Sequence, residues 1–207
     1  MPEKQIFQFQ VELKQFKPKI WRLFEINADA SLSLFIQVVM SLFRMYGGHL
    51  IELIFHSKKH GLKQVEFNVD ILGESDKPPK NSLIKLNRLF AAIGDKFQVT
   101  YDYGDDWQLA GSLKKIYADP NLKKDELPRI LKGFGYGIVE DCGGVWGLEE
   151  IVKGSRGEKC DLDPEILEEY LEDDFNIENF DLDEENKRLK DSLGDSFFSL
   201  SDVEEGW

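Results

Sequence analysis

The chain has 207 residues, with 26 Lys+Arg against 39 Asp+Glu, so its net charge at pH 7 is −13. This balance disfavours nucleic acid as a partner, because affinity for a phosphate backbone comes mainly from Lys and Arg. A hydrophobic content of 42% excludes a disordered chain, and no apolar run reaches the roughly eighteen residues of a membrane span. With two cysteines and no signal-like N-terminus, we expect a cytoplasmic globular protein without a membrane partner.

The acidic charge is concentrated at one end of the chain. Residues 158–207 hold 19 Asp+Glu against 4 Lys+Arg, whereas residues 1–157 hold 20 against 22. We therefore predict an α+β domain over residues 1–157 and an acidic, mainly helical C-terminal extension over residues 158–207. Apolar residues recur through the extension, so we expect it to pack partly on the body. The case is weaker for residues 192–207, whose apolar residues lie among Gly, Ser and acids.

The first half of the chain begins with alternating residues. They predict an antiparallel hairpin with strands Ile6 to Leu13 and Ile20 to Ile26. Ser31 then precedes apolar residues spaced three and four apart, which predict a helix from Leu32 to Phe43 that stops at Gly47-Gly48. The remaining predictions here are strands from Leu50 to Phe55 and Val65 to Leu72, a polar loop from Gly73 to Ser82 and a short helix from Leu86 to Ile93.

In the second half, Lys96 to Tyr103 and Trp107 to Tyr117 predict a hairpin around a Gly-Asp turn. The glycine-rich stretch 133–137 is expected to be a loop. Helical patterns follow at Leu148 to Lys153, Pro164 to Leu171 and Glu184 to Leu193. Because the alternation of parallel βαβ units is missing, the fold class we predict is α+β.

Two motifs stand out. They are Tyr101-Asp102-Tyr103-Gly104-Asp105-Asp106-Trp107 and Glu140-Asp141-Cys142-Gly143-Gly144. With Pro18 to Leu23, His49-Leu50 and Pro128 to Gly133, they resemble the plasmid pRiA4b ORF-3-like family, which occurs on plasmids and mobile elements and often has no assigned activity. The resemblance implies a coiled antiparallel sheet packed on one main helix, to which this chain adds C-terminal helices.

The chain departs from the family pattern at four places, one of which is the end of the first helix, where Met45 or Tyr46 stands instead of an expected Trp. Leu109 stands where members usually carry His, Ile130 where they carry Cys, and Ile138-Val139 where they carry a Pro pair. A catalytic chemistry that needs that His or Cys does not transfer to this chain.

The two motifs could bring five carboxylates together, namely Asp102, Asp105, Asp106, Glu140 and Asp141. Converging carboxylates suit Mg²⁺ or Ca²⁺. Gly and Asp are also the residues of tight turns, with Gly104 supplying a positive φ and Asp accepting backbone N–H bonds. We expect the turn role, with no metal or cofactor, and strand alternation predicts that Tyr101 and Tyr103 share a face opposite Asp102.

Other side chains have two interpretations each. Cys142 is either a thiolate nucleophile or a buried, unreactive residue, and we expect the latter. His49 is expected to donate at the helix C-terminus rather than to act as ligand or base. Trp21, Trp107 and Trp146 are either anchors in the core or its rim, or a recognition surface.

The two motifs and the aromatic residues favour a binding role for this chain. We expect a non-enzymatic protein-interaction module with an unidentified protein partner, in which the two motifs, Trp21 and His49 are the candidate binding residues. The alternative is a hydrolase-like enzyme that uses the carboxylates with Mg²⁺. Both hypotheses predict that the two motif loops are neighbours, with Cα traces within about 10 Å. A DNA recombinase is disfavoured because the arginines are isolated in sequence.

Overall fold

The computed structural model describes residues 5–59, 61–68, 83–171 and 175–194. Its strands are β1 (Gln5–Leu13), β2 (Trp21–Asn27), β3 (Leu50–Ser57), β4 (Gly61–Asn68), β5 (Lys96–Tyr101), β6 (Trp107–Ala118) and β7 (Arg129–Phe134). Its helices are α1 (Leu32–Leu42), α2 (Leu86–Leu89), α3 (Gly144–Ser155), α4 (Pro164–Tyr170) and α5 (Leu182–Leu193). The described strands form one open antiparallel sheet in the order β4-β3-β5-β6-β1-β2-β7, which confirms the predicted α+β class.

The core lies between this sheet and α1. Alternation in β1 puts Phe9 on the inner face, where its ring lies 5.2 Å from that of Phe35 on α1. Phe35 also packs on Phe97 of β5, with ring centroids 5.0 Å apart. The helix begins where predicted, because the Ser31 side chain accepts a hydrogen bond from the Leu34 amide at 3.2 Å.

Helix α5 packs on α1 and on the edge strand β7. Leu189 and Leu193 enter the core, and Glu185 is buried against Arg22, with their charged groups 3.7 Å apart. Burial lowers the pKa of Arg22 to about 10, and the Glu185 charge opposes that shift. The side chain of Asn186 donates to the Ile130 carbonyl at 3.0 Å and accepts from its amide at 2.8 Å, so it covers part of the β7 edge. The division into two domains stays a prediction, and residues 195–207 lie outside the described part.

Several predicted boundaries were wrong. Helix α1 ends at Leu42 with Phe43 as its C-cap, before Gly47-Gly48, and α2 is a single turn because Phe90 is extended. Strand β4 begins at Gly61, four residues before the predicted start, while the predicted loop from Gly73 to Ser82 lies outside the described residues.

Strand β7 was not predicted, and its residues show why. As an edge strand it buries only Ile130, so no alternation marks it, and its last two residues fall in the stretch expected to be a loop. Among the described residues, no helix has the length and apolar composition needed to cross a bilayer.

Candidate functional site

The two motif loops touch. The amide of Gly143 donates to Asp105 Oδ2 at 3.2 Å. A Cβ atom on Gly144 would lie 2.1 Å from the Asp105 carbonyl oxygen, so the two backbones are packed too closely for any side chain there. The prediction that these loops are neighbours is confirmed.

The turn of the first motif differs from the predicted one. Strand β5 ends at Tyr101, and the positive φ angles belong to Asp102 (54°) and Asp106 (51°), whereas Gly104 has none. The Asp102 side chain accepts from the Gly104 amide at 2.9 Å, which is the local bond that lets Asp adopt this conformation. Consequently Tyr101 and Tyr103 do not share a face: Tyr101 is fully buried and Tyr103 is 49% exposed. The predicted roles of Gly104 and of strand alternation were therefore wrong.

The adjacent carboxylates Asp105 and Asp106 have different partners. Asp105 accepts from the second motif through Gly143, as described above. Asp106 accepts from Gln108 Nε2 at 3.0 and 3.1 Å, within its own hairpin. The pair is thus divided between an inter-loop bond and a local bond.

His49 brings a third segment, the connection between α1 and β3, to the two loops. Its Nδ1 lies 3.6 Å from Asp102 Oδ2, and its Nε2 lies 3.4 Å from Asp141 Oδ1 and 4.0 Å from Glu140 Oε2. The prediction that His49 donates at the end of the helix was wrong, since α1 ends seven residues earlier with Phe43 as its cap. The imidazole instead stands between carboxylates of both motifs.

Glu140 is held in place by neutral donors. Its Oε1 accepts from the Tyr46 amide at 2.7 Å and lies 2.9 Å from the Tyr101 hydroxyl. That hydroxyl also accepts from the Gly47 amide at 3.2 Å. Burial raises the pKa of Glu140, against the lowering effect of the Tyr46 amide, and burial together with the Glu140 charge raises the pKa of Tyr101. Tyr101 therefore stays protonated and can donate to the carboxylate.

Cys142 does not have the environment of a nucleophile. It is 5% exposed, and its Sγ lies 3.5 Å from the Gly144 carbonyl oxygen. Burial, with a contribution from the Asp105 charge, raises the pKa of its thiol to about 12. A thiolate is therefore scarce at neutral pH, which agrees with the predicted buried, unreactive cysteine.

The comparison with family models gives a match to the plasmid pRiA4b ORF-3-like protein over residues 5–184. The chain belongs to this family. The fold is similar to the crystal structure of MM3350, a protein of unknown function from Methanosarcina mazei Go1. That structure is 24% identical, with a TM-score of 0.70, over 87% of this chain and 96% of the other. The comparison with curated proteins gave no match.

Two of the positions at which this member departs from the pRiA4b ORF-3-like pattern are structural. Leu109 is 1% exposed and Ile130 is 3% exposed, and both belong to the hydrophobic core. Neither residue lies among the carboxylates described above. The side chains that do meet there come from His49 and from the two motifs.

The tryptophans are divided between the core and the surface. Trp107 is fully buried, and Trp21 lies on β2, three strands away from Tyr101 on β5. Trp146, in the first turn of α3, is 56% exposed and lies two residues after the end of the second motif. The structure therefore brings Trp146, but not Trp21, to the motif loops.

Tyr46 was missed as a site residue. It is 70% exposed, and its amide binds the Glu140 carboxylate. Its place depends on the pairing of β3 with β5, which sequence patterns did not predict. In this pairing Ile51 lies opposite Tyr101, and the Asp102 amide donates to the Leu50 carbonyl. That register carries the segment from Tyr46 to His49 to the end of β5.

Proposed function

We propose that this member of the pRiA4b ORF-3-like family is a non-enzymatic protein-interaction module that binds a basic segment of a protein partner. The binding surface consists of the five carboxylates Asp102, Asp105, Asp106, Glu140 and Asp141 and the exposed aromatics Tyr46, Tyr103 and Trp146; we call it the acidic-aromatic surface. The observation that carries the proposal is the contact between the two motif loops, to which the Tyr46 amide adds a third segment by its hydrogen bond to Glu140.

Charge supports a basic partner. The two motifs contain five acidic residues and no Lys or Arg. Such a patch attracts Lys and Arg side chains and speeds their association, while it repels phosphates. The same charge makes nucleic acid an unfavourable partner for this surface.

The exposed rings support a protein partner rather than a free small cation. Tyr46, Trp146 and Tyr103 are 70%, 56% and 49% exposed, which is unusual for such large side chains. An aromatic face attracts Arg or Lys by about 0.5–1 kcal/mol when exposed and more when water is excluded. Aromatic residues are also typical of the few positions that dominate protein interfaces.

The test uses the full chain and fluorescence anisotropy with labelled oligo-arginine, oligo-lysine and oligo-glutamate peptides. We expect binding of the basic peptides alone, weakened as salt rises from about 0.05 to 0.5 M because screening shortens the reach of the charges. Trp146→Ala and Tyr46→Ala should each weaken binding several-fold. Leu62→Ala is the matched control, because Leu62 is 63% exposed but lies on β4, away from the two motifs.

Two results would overturn the proposal. One is equal affinity of the wild type for basic and acidic peptides. The other is equal affinity of the Trp146, Tyr46 and Leu62 variants for oligo-arginine. The alternative function, a metal-dependent hydrolase, first requires a bound cation at these carboxylates.

A further inference from the structure

His49 and two carboxylates of the acidic-aromatic surface together have the arrangement of a metal site. His49, Asp102 and Asp141 each offer one ligand atom, and these atoms all lie within 4.8 Å of one another. They come from the connection after α1, the turn after β5 and the loop before α3, so the tertiary fold assembles the group.

We propose that His49, Asp102 and Asp141 bind a divalent transition-metal ion. This inference is independent of the protein-interaction role and goes beyond it. It also differs from a Mg²⁺ or Ca²⁺ site, because those hard ions take oxygen ligands whereas imidazole nitrogen suits Zn²⁺, Fe²⁺ and Ni²⁺.

The distances between neighbouring ligand atoms are those of such a site, although one side chain must turn to complete it. Zinc bonds to imidazole nitrogen and carboxylate oxygen of about 2.1 Å place neighbouring ligands about 3.4 Å apart in a tetrahedral shell. His49 Nε2 and Asp141 Oδ1 are already 3.4 Å apart, and His49 Nδ1 and Asp102 Oδ2 are 3.6 Å apart. Nδ1 faces Asp102 and Nε2 faces Asp141. Because an ion binds only one nitrogen of the ring, the imidazole or one carboxylate must turn so that both aspartates and a single nitrogen reach the same ion.

Exposure across the group gives the ion a way in. The side chain of Asp102 is 13% exposed, that of His49 is 31% exposed and that of Asp141 is 74% exposed. An ion can approach from the Asp141 side and keep water in its open positions. Glu140 stands behind the group, with Oε2 at 4.0 Å from His49 Nε2 and Oε1 held by Tyr46 and Tyr101.

Not all five carboxylates are proposed ligands. Asp105 is bonded to Gly143, and Asp106 is bonded to Gln108. Neither belongs to the group of converging ligand atoms. Asp106→Asn is therefore a matched control: it removes a carboxylate from the same turn as Asp102 without touching the proposed ligands.

The test is isothermal titration of the full-length protein with ZnCl₂, MnCl₂, MgCl₂ and CaCl₂, each alone. We expect one Zn²⁺ per chain and weaker Mn²⁺ binding, in accord with the general order of affinities for nitrogen and oxygen sites. Mg²⁺ and Ca²⁺ should bind more weakly than both. His49→Gln and Asp141→Asn should each reduce the Zn²⁺ affinity by at least the roughly 10–100-fold that follows loss of an outer-shell partner.

Two control variants keep the test specific. One is Asp106→Asn, and the other is His56→Gln, which removes an exposed histidine on β3. Both should leave the Zn²⁺ affinity unchanged. Absorption of the Co²⁺ complex provides a second readout, since its ligand-field bands should disappear in His49→Gln. The inference is overturned if the wild type binds no Zn²⁺, if both ligand variants keep wild-type affinity, or if the controls lose it equally. Tighter binding of Mg²⁺ than of Zn²⁺ would overturn the assignment to a transition metal.

The two proposals can fail separately. An ion would neutralise part of the charge of Asp102 and Asp141, so Zn²⁺ should weaken oligo-arginine binding in the wild type but not in Asp141→Asn. Loss of Zn²⁺ binding with intact peptide binding would remove only the metal site. Loss of peptide binding with intact Zn²⁺ binding would remove only the interaction role.

Discussion

The contact between the motif loops can be tested by a pair of glycine substitutions. Gly143 and Gly144 both have positive φ angles, of 89° and 71°. A Cβ on Gly143 would meet only the Trp146 ring at 3.9 Å, whereas one on Gly144 would lie 2.1 Å from the Asp105 carbonyl oxygen. The two alanine variants therefore share the backbone strain and differ in the clash between the loops.

Their expected costs follow from this difference. A left-handed conformation costs an ordinary L-residue about 1–2 kcal/mol, which is the cost expected for Gly143→Ala. Gly144→Ala adds an overpacking cost of about 1–3 kcal/mol, because a backbone carbonyl cannot move as a flexible side chain can. In a chain of this size each kcal/mol lowers the melting temperature by about 2–4 °C.

The measurement is urea unfolding of the two variants and the wild type, monitored by circular dichroism. Gly144→Ala should have the lower free energy of unfolding by about 1–3 kcal/mol relative to Gly143→Ala. If the two variants are equally stable, the loops do not pack as described, and the shared surface on which both proposals depend is wrong.

Three further predictions concern other charged and polar groups. Glu185→Gln should destabilise the fold by about 3–5 kcal/mol, because it leaves buried arginine charge uncompensated, whereas the exposed Glu184→Gln should have little effect; both are measured by urea unfolding. The raised pKa of Glu140 means that the folded state holds its proton more tightly than the unfolded state. This residue's contribution to stability therefore falls as pH rises from the pKa of the unfolded state through that of the folded state. The stability of Glu140→Gln relative to wild type should therefore increase between acidic and neutral pH, and a constant difference would contradict the assignment. Asn186→Ala should expose the Ile130 backbone groups and cost about 1–3 kcal/mol, with self-association at the β7 edge as the second readout by light scattering.

Much of the fold could be predicted because its signals are local. Alternation marks β1, β2, β5 and β6, and the three- and four-residue spacing after Ser31 marks α1. Edge strand β7 carries no such signal, because its outer neighbours are helix side chains such as Asn186 rather than another strand. The burial of Glu185 also depends on where α5 docks, which local patterns do not specify.

The site could be predicted only in part. The two motifs were found by their unusual composition, and their proximity is confirmed. The role of His49 could not be found in this way, because it depends on the pairing of β3 with β5. Gly104 was expected to have the positive φ. In the structure Asp102 has it instead, and its side chain accepts a hydrogen bond from the Gly104 amide that stabilises this conformation.

The charge balance of the site links its geometry to the two proposals. Backbone contacts bring together two loops that carry five carboxylates, and like charges at short range repel unless donors or cations compensate them. Asp105, Asp106 and Glu140 receive hydrogen bonds from Gly143, Gln108 and Tyr46. Asp102 Oδ2 and Asp141 Oδ1 both face the one imidazole of His49, which carries at most a single positive charge. A deficit of positive charge therefore remains at the part of the site that is open to solvent, and a metal ion or a basic side chain of a partner would supply it.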